Sequence, residues 1–345
     1  MTIQHRKDEH IELVLKRNVT SRNLTTGFEN YRFLHCALPE INFSDISLTA
    51  TFLGKKLKAP LLISSMTGGT KRTGEINKNM ALAAEERGWA MGLGSMRVAL
   101  EYPESRSTFQ VRKYAPTIPI FANLGAVQLN YGYGMDHCRQ IVELAEADAL
   151  VLHLNSLQEV FQPEGNTRFA GLLKKIERLC NKLEIPIGVK EVGWGIDGKL
   201  AEQLISIGVS FIDVAGAGGT SWSQVEKYRT SHPLLKQAAE SFSDWGIPTA
   251  ECMMDVKRRV PYALLIASGG LSSGIDAAKA IALGARLAGY GRSLLKSAVE
   301  PTPEHIINHL TLIELELKIA MFGIGVSDIQ GLQKTDRLIP SLRGD

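Results

Sequence analysis

Residues 151–166, VLHLNSLQEVFQPEGN, begin as an apolar strand and then crowd His153, Asn155, Gln158 and Glu159 together. These side chains supply an imidazole that titrates near neutrality, two neutral amides and one hard carboxylate. Strand alternation sets Val151, His153 and Asn155 on one face, so imidazole and amide point the same way. Gln158 and Glu159 follow in the loop above them. One buried histidine alone is ordinarily a satisfied core residue. Four polar groups converging at one strand end indicate a site.

Other chemistry-bearing residues fall at comparable places. Lys190 lies mid-strand in PIGVKEV, where alternation groups it with Gly188 and Val192. An inward lysine is costly unless it meets an anion, either a bound one or a neighbouring barrel carboxylate. The SGG at residues 268–270 and the GYGR at 289–292 offer tight turns whose N–H groups can hold a phosphate, with Arg292 in support. The simpler reading of those glycines is turn formation alone. GTKRTG at residues 69–74 has P-loop glycine spacing, but Glu75 stands where the lysine belongs. GAGGTS at residues 216–221 lacks the third glycine of the dinucleotide fingerprint. Neither an ATP loop nor a Rossmann NAD site is supported. Near the start, RKDEHIE (with Arg6, Lys7 and His10) reads locally as a solvated helix face.

The elements that must position these residues follow from the hydrophobic pattern. Eight short apolar runs occur from Ala59 onward: APLLISSM, WAMGLGS, IPIFANLG, ALVLHLN, IPIGVKEV, FIDVAGAG, ALLIASGG and GARLAGYG. Amphipathic stretches separate most of them. Eight strand-then-helix units are the count that closes an α/β TIM (β/α)8 barrel, and a doubly wound open sheet seldom needs so many. Active sites of such barrels sit at the C-terminal strand ends, and here every strand end carries glycine or a hydrogen-bonding residue. Residues 1–58 read as an N-terminal extension of helix and hairpin, 59–325 as the barrel, and 326–345 as a polar C-terminal tail.

Composition narrows the class. The chain has 345 residues, 44% hydrophobic and 22% charged, so it can bury a full core and stay in solution. A net charge of +3 gives no reason to expect nucleic acid. No apolar run approaches the ~20 residues of a membrane span, and MTIQHRKDEH does not read as a signal peptide. Four scattered cysteines, Cys36, Cys138, Cys180 and Cys252, without CxxC spacing, read as free thiols in a reducing cytoplasm.

Taken in order, RK..H, SMTGG, GSMR, NLGA, HLN.LQE, VKEVG, AGAGGTSW, SGG and GYGR span nearly the whole chain. In them the sequence resembles the type 2 isopentenyl diphosphate isomerases. That resemblance implies a flavin-dependent TIM barrel interconverting isopentenyl and dimethylallyl diphosphate, with FMN active in its reduced form, NADPH as reductant, and Mg2+. It implies a cytoplasmic homo-oligomer, a tetramer or octamer. By the same likeness Ser65, Met66, Thr67, Ser95, Asn123, Lys190 and Thr220 contact the flavin. Gly269, Gly270, Leu271, Gly291 and Arg292 surround its phosphate. Arg6, Lys7, Ser95, Met96 and Arg97 hold the substrate together with His153, Asn155 and Gln158, and Glu159 holds the magnesium. Gln158 and His153 are the side chains implied to act beside the reduced flavin. Two departures are visible: many relatives read GSQR where this chain has Met96, and MAGP where it has YGRS. The second bears on the phosphate contacts of Gly291 and Arg292.

The residues agree with that chemistry. Moving a double bond adds a proton at one carbon and removes one from another, and an unactivated alkene is a poor base. No pair of strong acids and no strand-end cysteine is available, a gap that a cofactor fills. Lys190 near the flavin pyrimidine would favour the anionic reduced form. Gln158 is too weak an acid to protonate an alkene, and either positions it or relays a proton. Arg6 and Lys7, more than fifty residues before the first barrel strand, are expected to cross a subunit interface to reach the diphosphate, in preference to folding back over their own barrel. The nearest rival is an FMN oxidoreductase acting on 2-hydroxy acids or inosinate. The first would want paired arginines about a carboxylate and the second a loop cysteine. A non-catalytic flavin- or phosphate-binding barrel would not need Gln158 and Glu159 beside His153.

Overall fold

The structure, a computed structural model, describes residues 3–341. All eight apolar runs are strands: β4 (Leu61–Ile63), β5 (Ala90–Gly92), β6 (Ile120–Gly125), β7 (Ala149–Leu154), β8 (Ile187–Glu191), β9 (Phe211–Asp213), β10 (Leu265–Ala267) and β11 (Leu287–Tyr290). They pair in parallel and close into a barrel, with Ala288 of β11 opposite Leu61 of β4. The expected (β/α)8 architecture is the one observed. Strands covered on both faces read as continuous apolar runs, which is why the pattern was so plain.

Side-chain alternation divides the barrel interior into two layers. The lower layer is apolar, with Leu62, Ala90, Phe121, Val151, Phe211, Ile266 and Leu287 in one cluster. Gly188 belongs to this level, because a Cβ there would lie 2.2 Å from the Phe211 ring. Two residues further along the same strands stand Ser64, Asn123, His153, Lys190, Asp213 and Ser268. A period of two therefore converts an apolar floor directly into a polar layer beneath the barrel mouth.

The remaining strands lie outside the barrel. β2 (Ala50–Phe52) and β3 (Lys55–Leu57) form an antiparallel hairpin that inserts Phe52 and Leu57 into the apolar layer. The Phe52 ring packs against Phe121 and Phe211, with centroids 5.9 and 5.4 Å away. The hairpin is the barrel's lower plug.

Residues 326–341 are not a free polar tail. Helix Ile329–Lys334 buries Ile329 and Leu332 in the main core, and β12 (Leu338–Pro340) pairs antiparallel with β1 (Tyr31–Phe33). Polar composition hid two apolar anchors spaced three apart, one helical turn. The last four residues of the tail, 342–345, lie outside the described ones.

Helix Ile3–Lys16 lies across the mouth of its own barrel, contrary to the expectation of an arm reaching a neighbour. Lys7 Nζ donates to the Ser95 carbonyl at 2.8 Å and Thr70 Oγ1 donates to Asp8 at 2.8 Å. Glu9 pairs with Arg229 at 2.9 Å. None of the four cysteines is paired with another, and no described helix is long and apolar enough to cross a membrane.

Candidate active site

Two cavities adjoin at the C-terminal strand ends beneath helix Ile3–Lys16. The larger, ≈ 750 Å³, is walled by residues 64–67, 268–272 and 291–293 together with Gly193, Gly216, Gly219 and Thr220. The smaller, ≈ 150 Å³, is walled by Arg6, Ser95, Arg97, Asn123, His153, Asn155, Gln158 and Glu159, among others. Lys7, His10, Ser65, Met66, Lys190, Val192 and Trp222 line both, so the chambers share a wall.

The smaller chamber is a connected hydrogen-bond network. His153 Nδ1 lies 2.7 Å from Asn123 Oδ1, and with the amide oxygen as acceptor Nδ1 carries the ring proton. Asn155 Nδ2 donates to Glu159 Oε1 at 2.8 Å, and the Asn166 N–H donates to Glu159 Oε2 at 2.5 Å. Gln158 Nε2 donates to Glu226 Oε1 at 3.3 Å. Glu226 also meets His10 Nε2 at 3.0 Å and Arg229 at 2.5 Å. Burial works to raise the Glu226 carboxyl, but His10 and Arg229 hold it below its ordinary range. A charged, fixed acceptor therefore dictates how the Gln158 amide is turned.

Positive charge dominates this chamber. Burial, followed by the charges of Lys190, Lys7 and Arg6, pushes the His153 imidazole down to about 4. Burial and neighbouring Arg6 push Lys7 down to about 7. Both shifts have burial as their first cause and neighbouring cations as their second: Arg6, Lys7 and Lys190 are gathered close together in a desolvated chamber, as a site for a polyanion requires.

The larger chamber is built from backbone. A Cβ at Gly269 would lie 2.2 Å from the Gly216 carbonyl oxygen, and one at Gly219 would lie 2.7 Å from the Gly270 nitrogen. Only glycine lets the loops after β9 and β10 touch this closely, and Gly269 also has φ of 103°. Arg292 stands at the chamber edge with no ion pair among the described residues, its pKa lowered by burial. Ser64 Oγ is buried and partnerless among the described residues. Lys190 resolves its two alternatives differently: its Nζ lies 2.9 Å from Asp213 and donates to Ser268 Oγ at 3.0 Å, while Ser268 Oγ donates to Asp213 at 2.6 Å. The lysine meets a barrel carboxylate and still lines both chambers.

Comparison with known proteins supplies the family. The FMN-dependent dehydrogenase family matches residues 2–111 and 138–338. An isopentenyl-diphosphate delta-isomerase of Oceanobacillus iheyensis is 54% identical over 97% of this chain and 96% of its own length. One from a Nostoc species is 52% identical over 97% and 95%, respectively. The chain belongs to the type 2 isopentenyl-diphosphate delta-isomerase family. Among solved structures, mandelate oxidase (TM-score 0.67, 16% identity, covering 99% of both chains) and flavocytochrome b2 (0.68, 17%, covering 96% of this chain and 82% of that one) share the fold.

Seen as a type 2 isomerase, the chain gathers most of its candidate residues at the shared mouth. Ser65, Met66, Thr67, Lys190, Thr220, Gly269, Gly270, Leu271, Gly291 and Arg292 line the larger chamber. Ser95 and Asn123, also assigned to the flavin, line only the smaller one, where Asn123 holds His153. Met96 is the clear departure. Its side chain is 0% exposed in the main core and lines neither chamber. The apolar side chain in GSMR was itself the signal. Sequence reasoning missed Asp213, Glu226, Arg229 and Gln128. Asp213 and Ser64 were within its reach, since each sits two residues past an apolar-layer residue. Glu226 lies inside a helix, where nothing local marks it.

Proposed function

We propose that the protein interconverts isopentenyl and dimethylallyl diphosphate, with FMN in the larger chamber and the substrate in the smaller. The observation that carries this reading is the shared wall: a cation-lined chamber adjoins a glycine-lined one across Met66, Lys190 and Trp222. Arg292, without an ion pair among the described residues, the Ser64 hydroxyl and the close glycine loops suit a cofactor with a phosphate end. Glu159, with Asn155 Oδ1 beside it lacking a partner among the described residues, suits Mg2+, which takes one or two carboxylates and completes its shell with water and phosphate.

When bound, reduced FMN, with NADPH as its reductant, supplies the acid–base chemistry that these side chains lack. The chain's own residues do the rest. Arg6, Lys7, Arg97 and His153 hold the diphosphate by charge-assisted hydrogen bonds. Met66, Val192 and Trp222 give the hydrocarbon end a wall that excludes water. Gln158, turned by Glu226, sets the alkene or passes a proton beside it. Lys190 balances negative charge at the wall between the chambers. The free cysteines suit a reducing cytoplasm. Leu312, Leu315 and Ile319, exposed along helix Glu304–Gly323, suit a homo-oligomer.

Product analysis with isopentenyl diphosphate, FMN, a reductant and Mg2+ tests the reading. Dimethylallyl diphosphate should form only with reduced FMN, and without stoichiometric use of reductant. NADPH consumed one for one with product would replace the isomerase by a reductase. Glu159→Gln should raise the magnesium requirement strongly while bound FMN stays at the wild-type level, because metal and flavin chambers are distinct. Lys190→Ala should instead weaken FMN binding.

A further inference from the structure

Gln128, in the turn Ala126–Asn130 that follows β6, lines the smaller chamber and is 4% exposed. Its Oε1 has no hydrogen-bond partner among the described residues. The direction of its amide is set by a chain of obligations. Arg97 Nη1 reaches the Asn166 side chain at 3.1 Å, and a guanidinium only donates, so Asn166 must present its oxygen. Gln128 meets that same oxygen at 3.1 Å, so it must present its NH2 group. The Gln128 oxygen is therefore the end left over. Asn166 also donates its N–H to Glu159, and so ties Arg97, Gln128 and Glu159 to one residue. Asn155 repeats the pattern: its NH2 faces the acceptor-only Glu159 carboxylate, and its Oδ1 is also buried and partnerless.

A buried amide oxygen needs a donor. Ionised diphosphate only accepts, and an alkene chain does neither, so the substrate cannot satisfy it. The nearby cations are engaged elsewhere: Lys7 with the Ser95 carbonyl, Arg97 with Glu101 and Asn166, Arg6 with Glu164. Water bound to a divalent cation turns its hydrogens outward and is a strong donor. No group of three or more His, Cys, Asp or Glu suited to a metal exists among the described residues, so an all-protein cage is not what holds the ion. Resting on the reading of Glu159 as a magnesium ligand, we propose that Gln128 is a further holder of that cation, its Oε1 accepting from metal-bound water.

The test uses oxidised FMN holoenzyme saturated with isopentenyl diphosphate and titrated with Mn2+, followed by electron paramagnetic resonance and water-proton relaxation. Gln128→Leu should weaken Mn2+ binding about 10- to 100-fold, the usual cost of removing a group that supports metal ligands. FMN content and metal-free substrate affinity should not change. Glu159→Gln is run in parallel and should lose the bound-Mn2+ signal. If Glu159→Gln binds Mn2+ as wild type does, the Glu159 reading fails and this inference with it. If Glu159→Gln loses the ion while Gln128→Leu keeps wild-type affinity, Gln128 alone is overturned. Should Gln128→Leu also lose FMN or thermal stability, Gln128→Met, unbranched and of similar length, repeats the titration. The same joint loss there assigns Gln128 to packing and overturns the proposal.

Discussion

At the scale of single residues, His153 reports on the whole cation cluster. Its ring donates through Nδ1 to Asn123, which leaves Nε2 an acceptor unless the imidazole takes up a second proton. Burial first, then Lys190, Lys7 and Arg6, hold its pKa down at about 4, against an ordinary value of 6.5. Between those values the unfolded chain binds the proton and the folded chain does not, so stability rises with pH there. The contribution is complete above pH 6.5 and is lost as pH falls towards 4. Thermal unfolding of the ligand-free protein should show that loss, and His153→Gln should show a shallower one. Diphosphate placed among these cations should lift the imidazole and draw in a proton. Calorimetry at mildly acidic pH, in two buffers of different ionisation enthalpy, should therefore give buffer-dependent binding heats. Identical heats would put the diphosphate elsewhere.

At the scale of elements, helix Ile3–Lys16 decides whether the site is complete within one chain. Its contacts to Ser95, Thr70, Glu226 and Arg229 all lie on its own barrel. Charge-assisted contacts to diphosphate are worth roughly 1.5–3 kcal/mol, so Arg6→Ala with Lys7→Ala should weaken substrate binding at least about tenfold. Chains carrying that pair, mixed with Gln158→Ala chains and given time to exchange subunits, should recover no activity. Each barrel then keeps one defect. Recovery of activity in mixed oligomers would show that the helix serves a neighbouring barrel.

At the scale of the molecule, the mouth carries the chemistry while distant parts carry the stability. The Phe52 hairpin plugs one end of the barrel, and helix Ile329–Lys334 closes against its side through the buried Leu332. Leu332→Ala should cost about 2–5 kcal/mol in denaturant unfolding, the usual range for emptying a buried leucine site. FMN content should stay at the wild-type level, since neither chamber is lined by residues of that helix. A mobile tail would predict no change in either quantity.

The sequence by itself determined what depends on neighbours close along the chain. Eight apolar runs counted the barrel strands, and a period of two pointed His153 inward from Val151. The glycines of SGG and GYGR marked tight turns at the strand ends. What it left open depends on groups that only barrel closure brings together. Lys190 meets Ser268, 78 residues away, and Gln158 meets Glu226 across 68. The same holds for the burial of Met96, the anchoring of Leu332 and the seat of the N-terminal helix. Periodicity is a local property of the backbone and is written in adjacent residues. A hydrogen-bond partner is chosen by the path of the chain through space, and that path exists only once the barrel has closed.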